Sequence, residues 1–169
     1  MLIRKETPED FSAIRQLNQA TFGGDYEADL VDQLRADELI ALSLVAWDGD
    51  ELVGHICFSR LPTQVDGRRV RAVSLAPMAV KPDHQRRGIG SQLIAEGLAA
   101  LPALGIEAVL VLGHPNYYPR FGFSPEPAQK LASPFRGKKE FMALELVPGA
   151  LLGEKGSVTY PKAFGIEAG

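Results

Sequence analysis

The segment HQRRGIGSQL, residues 84–93, is a glycine-rich turn in front of an amphipathic helix. The first backbone N–H groups of a helix have no partner within the helix, and the helix dipole is positive at that end. Gly88 and Gly90 allow the main chain to approach an anion closely, while Arg86 and Arg87 add positive charge. Neighbouring side chains point in different directions, so we expect at most one of the two arginines to reach the anion. The alternative is that both arginines are only solvated surface residues. The pattern predicts a pyrophosphate-binding turn.

Two common nucleotide motifs do not describe this turn. The Walker pattern GxxxxGK[ST] is absent from the chain. The third glycine of a GxGxxG dinucleotide motif would fall at residue 93, where the sequence has Leu93. The strands before the turn also look antiparallel, so neither nucleotide-binding fold is predicted.

The strand before the turn, VSLAPMAV at residues 73–80, changes its apolar alternation at Ala76-Pro77. A proline at such a phase change is typical of a β-bulge. A bulge bends the strand and exposes backbone groups with which a ligand can pair as an added strand would. The alternative is an edge strand that tolerates a proline.

The elements that position this turn are readable from local patterns. LIRK predicts an opening strand, Thr7-Pro8 with two following acids predicts a helix start, and Gly23 ends that helix. A second helix is predicted from Tyr26 to Arg35. Asp48-Gly49-Asp50 and residues 65–68 then predict two hairpin turns joining three antiparallel strands.

Beyond the helix that begins near Gly88, residues 107–113 and 141–146 predict two further strands, while the tail from Pro148 is unassigned. The fold class is therefore α/β, with helices on both faces of one mixed, mostly antiparallel sheet that has a bulged central strand. No repeat or linker divides residues 1–169, so one domain is expected.

Composition limits the classes of function. The chain has 169 residues, 46% of them hydrophobic, and a net charge of −3, which argues against nucleic acid or an anionic membrane as partner. Cys57 is the single cysteine, so no internal disulfide or cysteine-based metal cluster can form, and no metal is expected. The acidic, proline-bearing start is unlike a signal peptide, and no apolar stretch reaches the ~20 residues of a membrane span. A cytoplasmic protein is expected.

Residues 85–90, QRRGIG, resemble the [RQ]-x-x-G-x-[GA] signature of the GNAT N-acetyltransferase superfamily, placed as in that family between a bulged strand and a helix. The resemblance implies that the backbone of Met78, Ala79 and Val80 pairs with the pantetheine arm of acetyl-CoA. It also implies that the pyrophosphate is held by the turn, namely by Gln85, Arg86, Arg87, Gly88, Ile89, Gly90 and Ser91.

A second segment, GHPNYYPRFGF at residues 113–123, resembles the Y-x-x-x-G-F segment of GNAT proteins. Tyr118 has the required spacing to Gly122-Phe123. The resemblance implies that its hydroxyl protonates the leaving thiolate, whereas packing is the alternative role and the one expected for Tyr117. Asn116 is a candidate for binding the pantetheine or adenosine part, or else an N-cap.

The opening strand with two helices, the DGD hairpin and the ending GEKGSVTYPKAFG resemble the YhbS-like branch of the superfamily, so the resemblance covers nearly the whole chain. It implies direct transfer of an acetyl group to a primary amine in a ternary complex, with an N–H of Met78 or Ala79 stabilising the oxyanion. Glu27 is the candidate general base; a solvated carboxylate is the alternative.

The acceptor, a small molecule or a protein amine, is not specified by any motif, and a monomer or homodimer is expected. Two other classes of function are open at this stage. One is a module that binds acetyl-CoA or CoA without turnover. The other is a nucleic-acid binder that uses Arg68, Arg69, Arg71, Arg86 and Arg87, which the acidic total disfavours.

Overall fold

The structure is a computed structural model that describes residues 1–166. Its helices are α1 (Phe11–Phe22), α2 (Tyr26–Ala36) and α3 (Ile89–Ala100). Its strands are β1 (Leu2–Lys5), β2 (Ile40–Asp48), β3 (Glu51–Val65), β4 (Arg68–Val80), β5 (Ala108–Leu112), β6 (Leu131–Ala132), β7 (Phe141–Glu145) and β8 (Gly156–Val158).

The strands form one mixed sheet in the order β1-β2-β3-β4-β5-β7, with β8 paired to both β3 and β6. The pairs β1–β2, β2–β3, β3–β8 and β5–β7 are antiparallel, whereas β4–β5 and β6–β8 are parallel. This confirms the predicted mixed, mostly antiparallel sheet. Within residues 1–166, no helix is both long enough and apolar enough to cross a bilayer.

The chain forms two compact units, and strands β3 and β4 contribute to both. The first unit comprises Met1–Ser59 and Ala76–Ala100; the second comprises Arg60–Leu75 and the chain from Leu101 onward. The presence of two compact units does not test the expectation that residues 1–169 form one domain, which therefore stays a prediction.

In the first unit, helices cover both faces of the β2–β3 pair. His55 of β3 faces α1, because its Nδ1 lies 3.4 Å from Nδ2 of Asn18. Its neighbour Gly54 faces α3, since a Cβ at Gly54 would lie 3.0 Å from side-chain atoms of both Ile89 and Leu93. Consecutive strand residues point to opposite faces, so α1 and α3 lie on opposite sides, as predicted.

The second unit has its own apolar core around β5 and β7. The register pairs Val109 with Leu144 and Leu110 with Ala143. Leu110 and Phe141 are fully buried there with side chains from β3, β4, β6 and the tail, including Leu61, Val65, Val70, Leu131, Leu151 and Val158. The apolar run of residues 108–111 is thus buried, as the sequence predicts, but Leu112 at its end is 46% exposed.

Both predicted hairpins are present, with strands meeting at Asp48 and Glu51 and at Val65 and Arg68. The first helical segment begins as predicted, with Thr7 as N-cap, Pro8 in the first turn and Glu9 and Asp10 after it. A 3-10 turn at Pro8–Asp10 precedes α1, and the Asp10 carboxylate accepts the Thr7 N–H at 2.7 Å. Thr7 and Asp10 thus form a capping box at this start.

The phase change predicted in β4 is visible in its burial. Val70 and Ala72 are buried at even positions, whereas Pro77 and Ala79 are buried at odd positions. The strand continues through Pro77, whose peptide bond to Ala76 is cis. A bulge at this point stays a prediction.

Candidate functional site

The turn between β4 and α3 has the backbone shape that its sequence requires. A 3-10 turn at Pro82–His84 is followed by two left-handed residues, Arg86 with φ 65° and Gly88 with φ 82°. The first hydrogen bond of α3 runs from the Gln92 N–H to the Gly88 carbonyl at 3.0 Å. The amides of Ile89 and Gly90 therefore precede the helical hydrogen-bond ladder and lie at the positive end of the helix dipole.

The surroundings of this turn fit a pyrophosphate. Arg86, Arg87 and Gly88 are exposed, and a Cβ built at Gly88 would meet no atom within 4 Å. Ile89 is only 2% exposed and anchors the start of the helix against Gly54. An anion can therefore approach the main chain at Gly88, with two guanidinium groups nearby on the turn.

The side chain of Gln85 ties the turn to the end of β4. Its Nε2 donates to the Val80 carbonyl at 2.9 Å, and the same oxygen accepts the Thr21 hydroxyl of α1 at 3.4 Å. One residue later, the Lys81 N–H donates to the Val53 carbonyl at 2.8 Å. The Val80 carbonyl thus has two protein donors, and Gln85 braces the turn from within it.

The start of the turn carries a cluster of polar side chains, consisting of Lys81, Asp83 and His84 together with Glu51 of β3. Glu51, Asp83 and His84 bring potential ligand atoms within 4.8 Å of one another. However, the Lys81 ammonium pairs with Glu51 and lies 3.8 Å from Asp83, so the cluster already contains a cation. His84 Nδ1 lies 2.7 Å from Asp83. We therefore interpret these groups as a brace of the turn.

In the first unit, the three β4 residues of the predicted pantetheine-binding strand differ in burial. Met78 and Val80 are partly exposed, whereas Ala79 is buried in a cluster with Ile14 and Leu17 of α1. Glu27, the candidate base, lies partly exposed in the first turn of α2.

In the second unit, Tyr118 begins the 3-10 turn Tyr118–Phe121 and is 8% exposed. Its ring makes edge contacts with Tyr117 at 5.2 Å and with Phe123 at 5.7 Å between centroids. A Cβ on Gly113 would collide with this ring, so the glycine provides the space for it. Burial raises the pKa of the Tyr118 hydroxyl to about 12, so the group is protonated at neutral pH.

The two other residues considered in this segment have different surroundings. Tyr117 is half-buried, with Phe121 at 5.3 Å and the Arg120 guanidinium 5.5 Å from its ring, which agrees with a packing role. Asn116 is exposed in the preceding turn. The N-cap position belongs to Tyr117, so the alternative role of Asn116 as N-cap is wrong.

The sequence did not predict a buried polar chain in the first unit. Ser43 Oγ donates to Glu6 at 2.5 Å and lies 2.9 Å from His55 Nε2, while Arg35 holds the Glu6 carboxylate at 3.0 Å. Because Asn18 Nδ2 faces His55 Nδ1, His55 is the Nε2–H tautomer. Full burial lowers the pKa of His55 to about 3. Histidine within an apolar strand was the only sequence signal, and it indicates a structural role.

Cys57, next along β3, is fully buried, and burial raises the pKa of its thiol to about 12. Such a thiol is not a nucleophile at neutral pH, because the thiolate is the reactive form. The interpretation of Cys57 as a small core residue is confirmed.

Residues 2–125 match the model of the acetyltransferase (GNAT) domain family. The chain is 38% identical over 166 residues to the uncharacterized N-acetyltransferase YhbS of Escherichia coli K12, a match that covers 97% of this chain and 98% of that protein.

Two solved structures extend the comparison. The crystal structure of E. coli YhbS in complex with CoA superposes with a TM-score of 0.87 at 37% identity, covering 98% of this chain and 92% of that one. A GNAT family acetyltransferase from Brucella melitensis in complex with acetyl-CoA gives 0.78 at 37% identity, covering 96% and 97%. The resemblance to the YhbS-like branch is confirmed, and the chain belongs to the GNAT family of N-acetyltransferases.

Proposed function

We propose that residues 1–169 form one GNAT domain that transfers an acetyl group from acetyl-CoA directly to a primary amine. The observation that carries the proposal is the β4–α3 turn, where Gly88 is left-handed, exposed and open in front of the first amides of α3. A helix start of this shape binds phosphate groups through backbone N–H donors. Family membership supplies the reaction class.

The cofactor assignment rests on the same turn. The relatives that share this fold were solved with CoA and acetyl-CoA, and QRRGIG in this chain supports the same ligand here. The residues that would hold the pyrophosphate are those of the turn from Gln85 to Ser91, with Gln85 acting through its bond to Val80. Met78, Ala79 and Val80 would pair with the pantetheine arm, and Asn116 is a further candidate contact.

When bound, acetyl-CoA supplies the thioester that the amine attacks. Tyr118 is assigned the general acid that donates its hydroxyl proton to the departing sulfur. The proton that this role requires is present at neutral pH, because burial raises the pKa of the Tyr118 hydroxyl to about 12. The tight aromatic packing of Tyr118 fixes the ring and lets the hydroxyl act without reorganisation.

Two further roles complete the proposal. An N–H of Met78 or Ala79 would donate to the developing oxyanion, since Pro77 has no N–H to offer. Glu27 would accept the proton from the amine, and its place in the first turn of α2 leaves the carboxylate partly exposed to solvent.

One of the five arginines of the nucleic-acid alternative, Arg68, already has partners within the protein. Arg68 donates to the carbonyls of Ala150 and Leu152, each at 3.1 Å, so this guanidinium serves to hold the tail. We propose a small-molecule or protein amine as the acceptor and the cytoplasm as the location of the enzyme.

Calorimetric titration with acetyl-CoA tests the cofactor assignment. We expect micromolar affinity, about −8 kcal/mol, for the wild type and none for Gly88→Glu, which places a carboxylate where the pyrophosphate binds. Gly67→Glu is the matched control, because Gly67 is also left-handed, at φ 77°, and open within 4 Å. Failure of the wild type to bind would overturn the proposal. Binding of acetyl-CoA without release of coenzyme A in the presence of any amine of a broad panel would support the alternative of a non-catalytic binding module.

A further inference from the structure

A cavity of about 310 Å³ lies in the second unit, between the segment that follows Phe123 and the segment that leads into β7. Pro125, Ala128 and Phe141 form its apolar part, and the last two are each only 1% exposed. The volume is at the lower end of the range for small-molecule sites.

The charged side chains that line this cavity are both cationic. Lys138 and Lys139 lie at its mouth, and Gln129 adds an amide. Neither lysine forms an ion pair with any side chain in the described part of the protein; Lys138 Nζ instead lies 5.8 Å from the ring centroid of Phe135. In a chain with a net charge of −3, this is a local concentration of unneutralised positive charge over an apolar floor.

Two basic side chains nearby in the sequence, unlike Lys138 and Lys139, donate hydrogen bonds to backbone carbonyls. The Lys130 ammonium donates to the Leu151 carbonyl at 2.5 Å, and Arg136 Nε donates to the Gln129 carbonyl at 3.3 Å. Of these two bonds, only the one from Arg136 reaches a lining residue, Gln129. Lys138 and Lys139 have no such bond to a carbonyl or carboxylate in the described residues. The site is therefore complementary to an anion attached to a small apolar body.

Short chain segments link the cavity to Tyr118 within the second unit. Its wall residue Pro125 is two residues from Phe123, a step of at most about 7 Å, and the Phe123 ring contacts the Tyr118 ring. On the other side, Lys139 precedes Glu140, whose carbonyl accepts the Gly113 N–H at 2.9 Å. Gly113 in turn abuts the Tyr118 ring. Two short chain segments thus run from the lining of the cavity to the residues that pack against the proposed acid.

We propose that this cavity is an anion site, and that the anion is the carboxylate or phosphate group of the amine acceptor. The inference deepens the proposed function and rests on it for the role of the anion as acceptor. It predicts amines that carry a negative group, against the cationic acceptors that the net charge alone would favour.

Binding is measured first, without cofactor, because it does not depend on turnover. The ¹⁵N-labelled protein is titrated with N-acetylglycine and, separately, with its neutral counterpart N-acetylglycinamide, while the amide signals of residues 125–141 are followed. We expect saturable shifts with the carboxylate only. Lys138→Gln/Lys139→Gln should weaken binding by about tenfold or more, as expected for loss of charge-assisted hydrogen bonds.

Lys155→Gln/Lys162→Gln is the matched control, because it removes the same charge from exposed positions of the same unit outside the cavity. It should bind as the wild type does. No saturable shift, or equal binding of the neutral probe, would overturn the anion site.

A second titration separates the two possible sources of the anion. Coenzyme A and its 3′-dephospho form are compared on wild type and on Lys138→Gln/Lys139→Gln. Equal affinities of both proteins for coenzyme A support the acceptor. A loss of affinity that disappears with the dephospho form would assign the cavity to the phosphate of the cofactor and overturn our assignment.

Turnover is compared last, with glycine and glycinamide as acceptors. The wild type should prefer the carboxylate-bearing amine in kcat/KM, and the double lysine variant should lose that preference. Anion binding in a protein that acetylates no amine would contradict the proposed function while supporting the site.

Discussion

The side-chain amide of Gln85 donates a 2.9 Å hydrogen bond to the backbone carbonyl of Val80, the last residue of β4. The bond spans five residues and closes the turn on the strand from which it departs. The conformation of the proposed phosphate site is therefore set partly by a side chain of its own signature, which is exposed and contributes little to the core.

Gln85→Leu tests this brace. Loss of one neutral hydrogen bond costs about 1 kcal/mol, so we expect the affinity for acetyl-CoA to fall about fivefold. The melting temperature should change little, because the Val80 carbonyl keeps the Thr21 hydroxyl. Calorimetry and thermal unfolding give the two values. Gln16→Leu, on the exposed side of α1, is the control, and unchanged affinity in Gln85→Leu would show that the brace is dispensable.

Tyr118→Phe tests the general acid. Removing the hydroxyl should lower kcat by about 100-fold or more while the KM for acetyl-CoA stays near the wild-type value. Tyr117→Phe removes the adjacent hydroxyl from a residue with a packing role and should retain most activity. Equal kcat values for Tyr118→Phe and the wild type would assign the proton to another donor.

Gly113→Ala perturbs the same acid without touching its hydroxyl. The added Cβ collides with the Tyr118 ring, so the ring must shift, at a cost of about 1–3 kcal/mol in stability. We expect kcat to fall as well, and Gly113→Ala/Tyr118→Phe to be little slower than Tyr118→Phe alone. Steady-state kinetics of the wild type, the two single variants and the double variant measures the kcat values of this double-mutant cycle. Gly24→Ala, where a Cβ meets nothing within 4 Å, is the control. If the two substitutions lowered kcat additively, the loss in Gly113→Ala would not come from the displaced Tyr118 hydroxyl.

His55 should make the protein sensitive to acid. The unfolded state takes up a proton on this histidine below about pH 6.5, whereas the folded state does not until about pH 3. The unfolded state therefore binds more protons in this window, and the free energy of unfolding falls as the pH is lowered, by about 2 kcal/mol between pH 7 and pH 5.

Urea unfolding of His55→Gln at both pH values checks this contribution. The variant should be less stable at pH 7, because Ser43 loses a partner, but its stability should fall less on acidification. His114→Gln, at an exposed position, should follow the wild type. An identical pH dependence in His55→Gln and wild type would locate the acid sensitivity elsewhere.

Features encoded by a few adjacent residues were predictable from the sequence. Asp48-Gly49-Asp50 specifies its hairpin, and Gly88 specifies a left-handed turn before α3, because each conformation is decided locally. The strands β6 and β8 were not predictable. They contain two and three residues, and β8 exists because Gly156 pairs with Val65, far away in the chain.

The features of the candidate site also differ in whether they were predictable from the sequence. The glycine-rich turn was predictable from its local sequence, and Tyr118 from the resemblance of residues 113–123 to GNAT proteins. The bond from Gln85 to Val80 and the chain Glu6–Ser43–His55–Asn18 were not predictable, because they depend on side chains that meet only in the folded protein. The cavity beside Lys138 and Lys139 is likewise a product of tertiary packing, since neither lysine belongs to any motif. Hydrogen-bond partners of this kind carry no signature in a single sequence.

The burial of Cys57 has a practical consequence for chemistry in solution. Coenzyme A leaves with a free thiol, and reagents that detect it, such as aromatic disulfides, also react with protein thiolates. Because the one cysteine of this chain is fully buried with its pKa raised to about 12, the native protein gives no blank in such an assay. For the same reason it cannot divert the acetyl group onto its own sulfur, so every equivalent of thiol that appears reports an acetyl group delivered elsewhere.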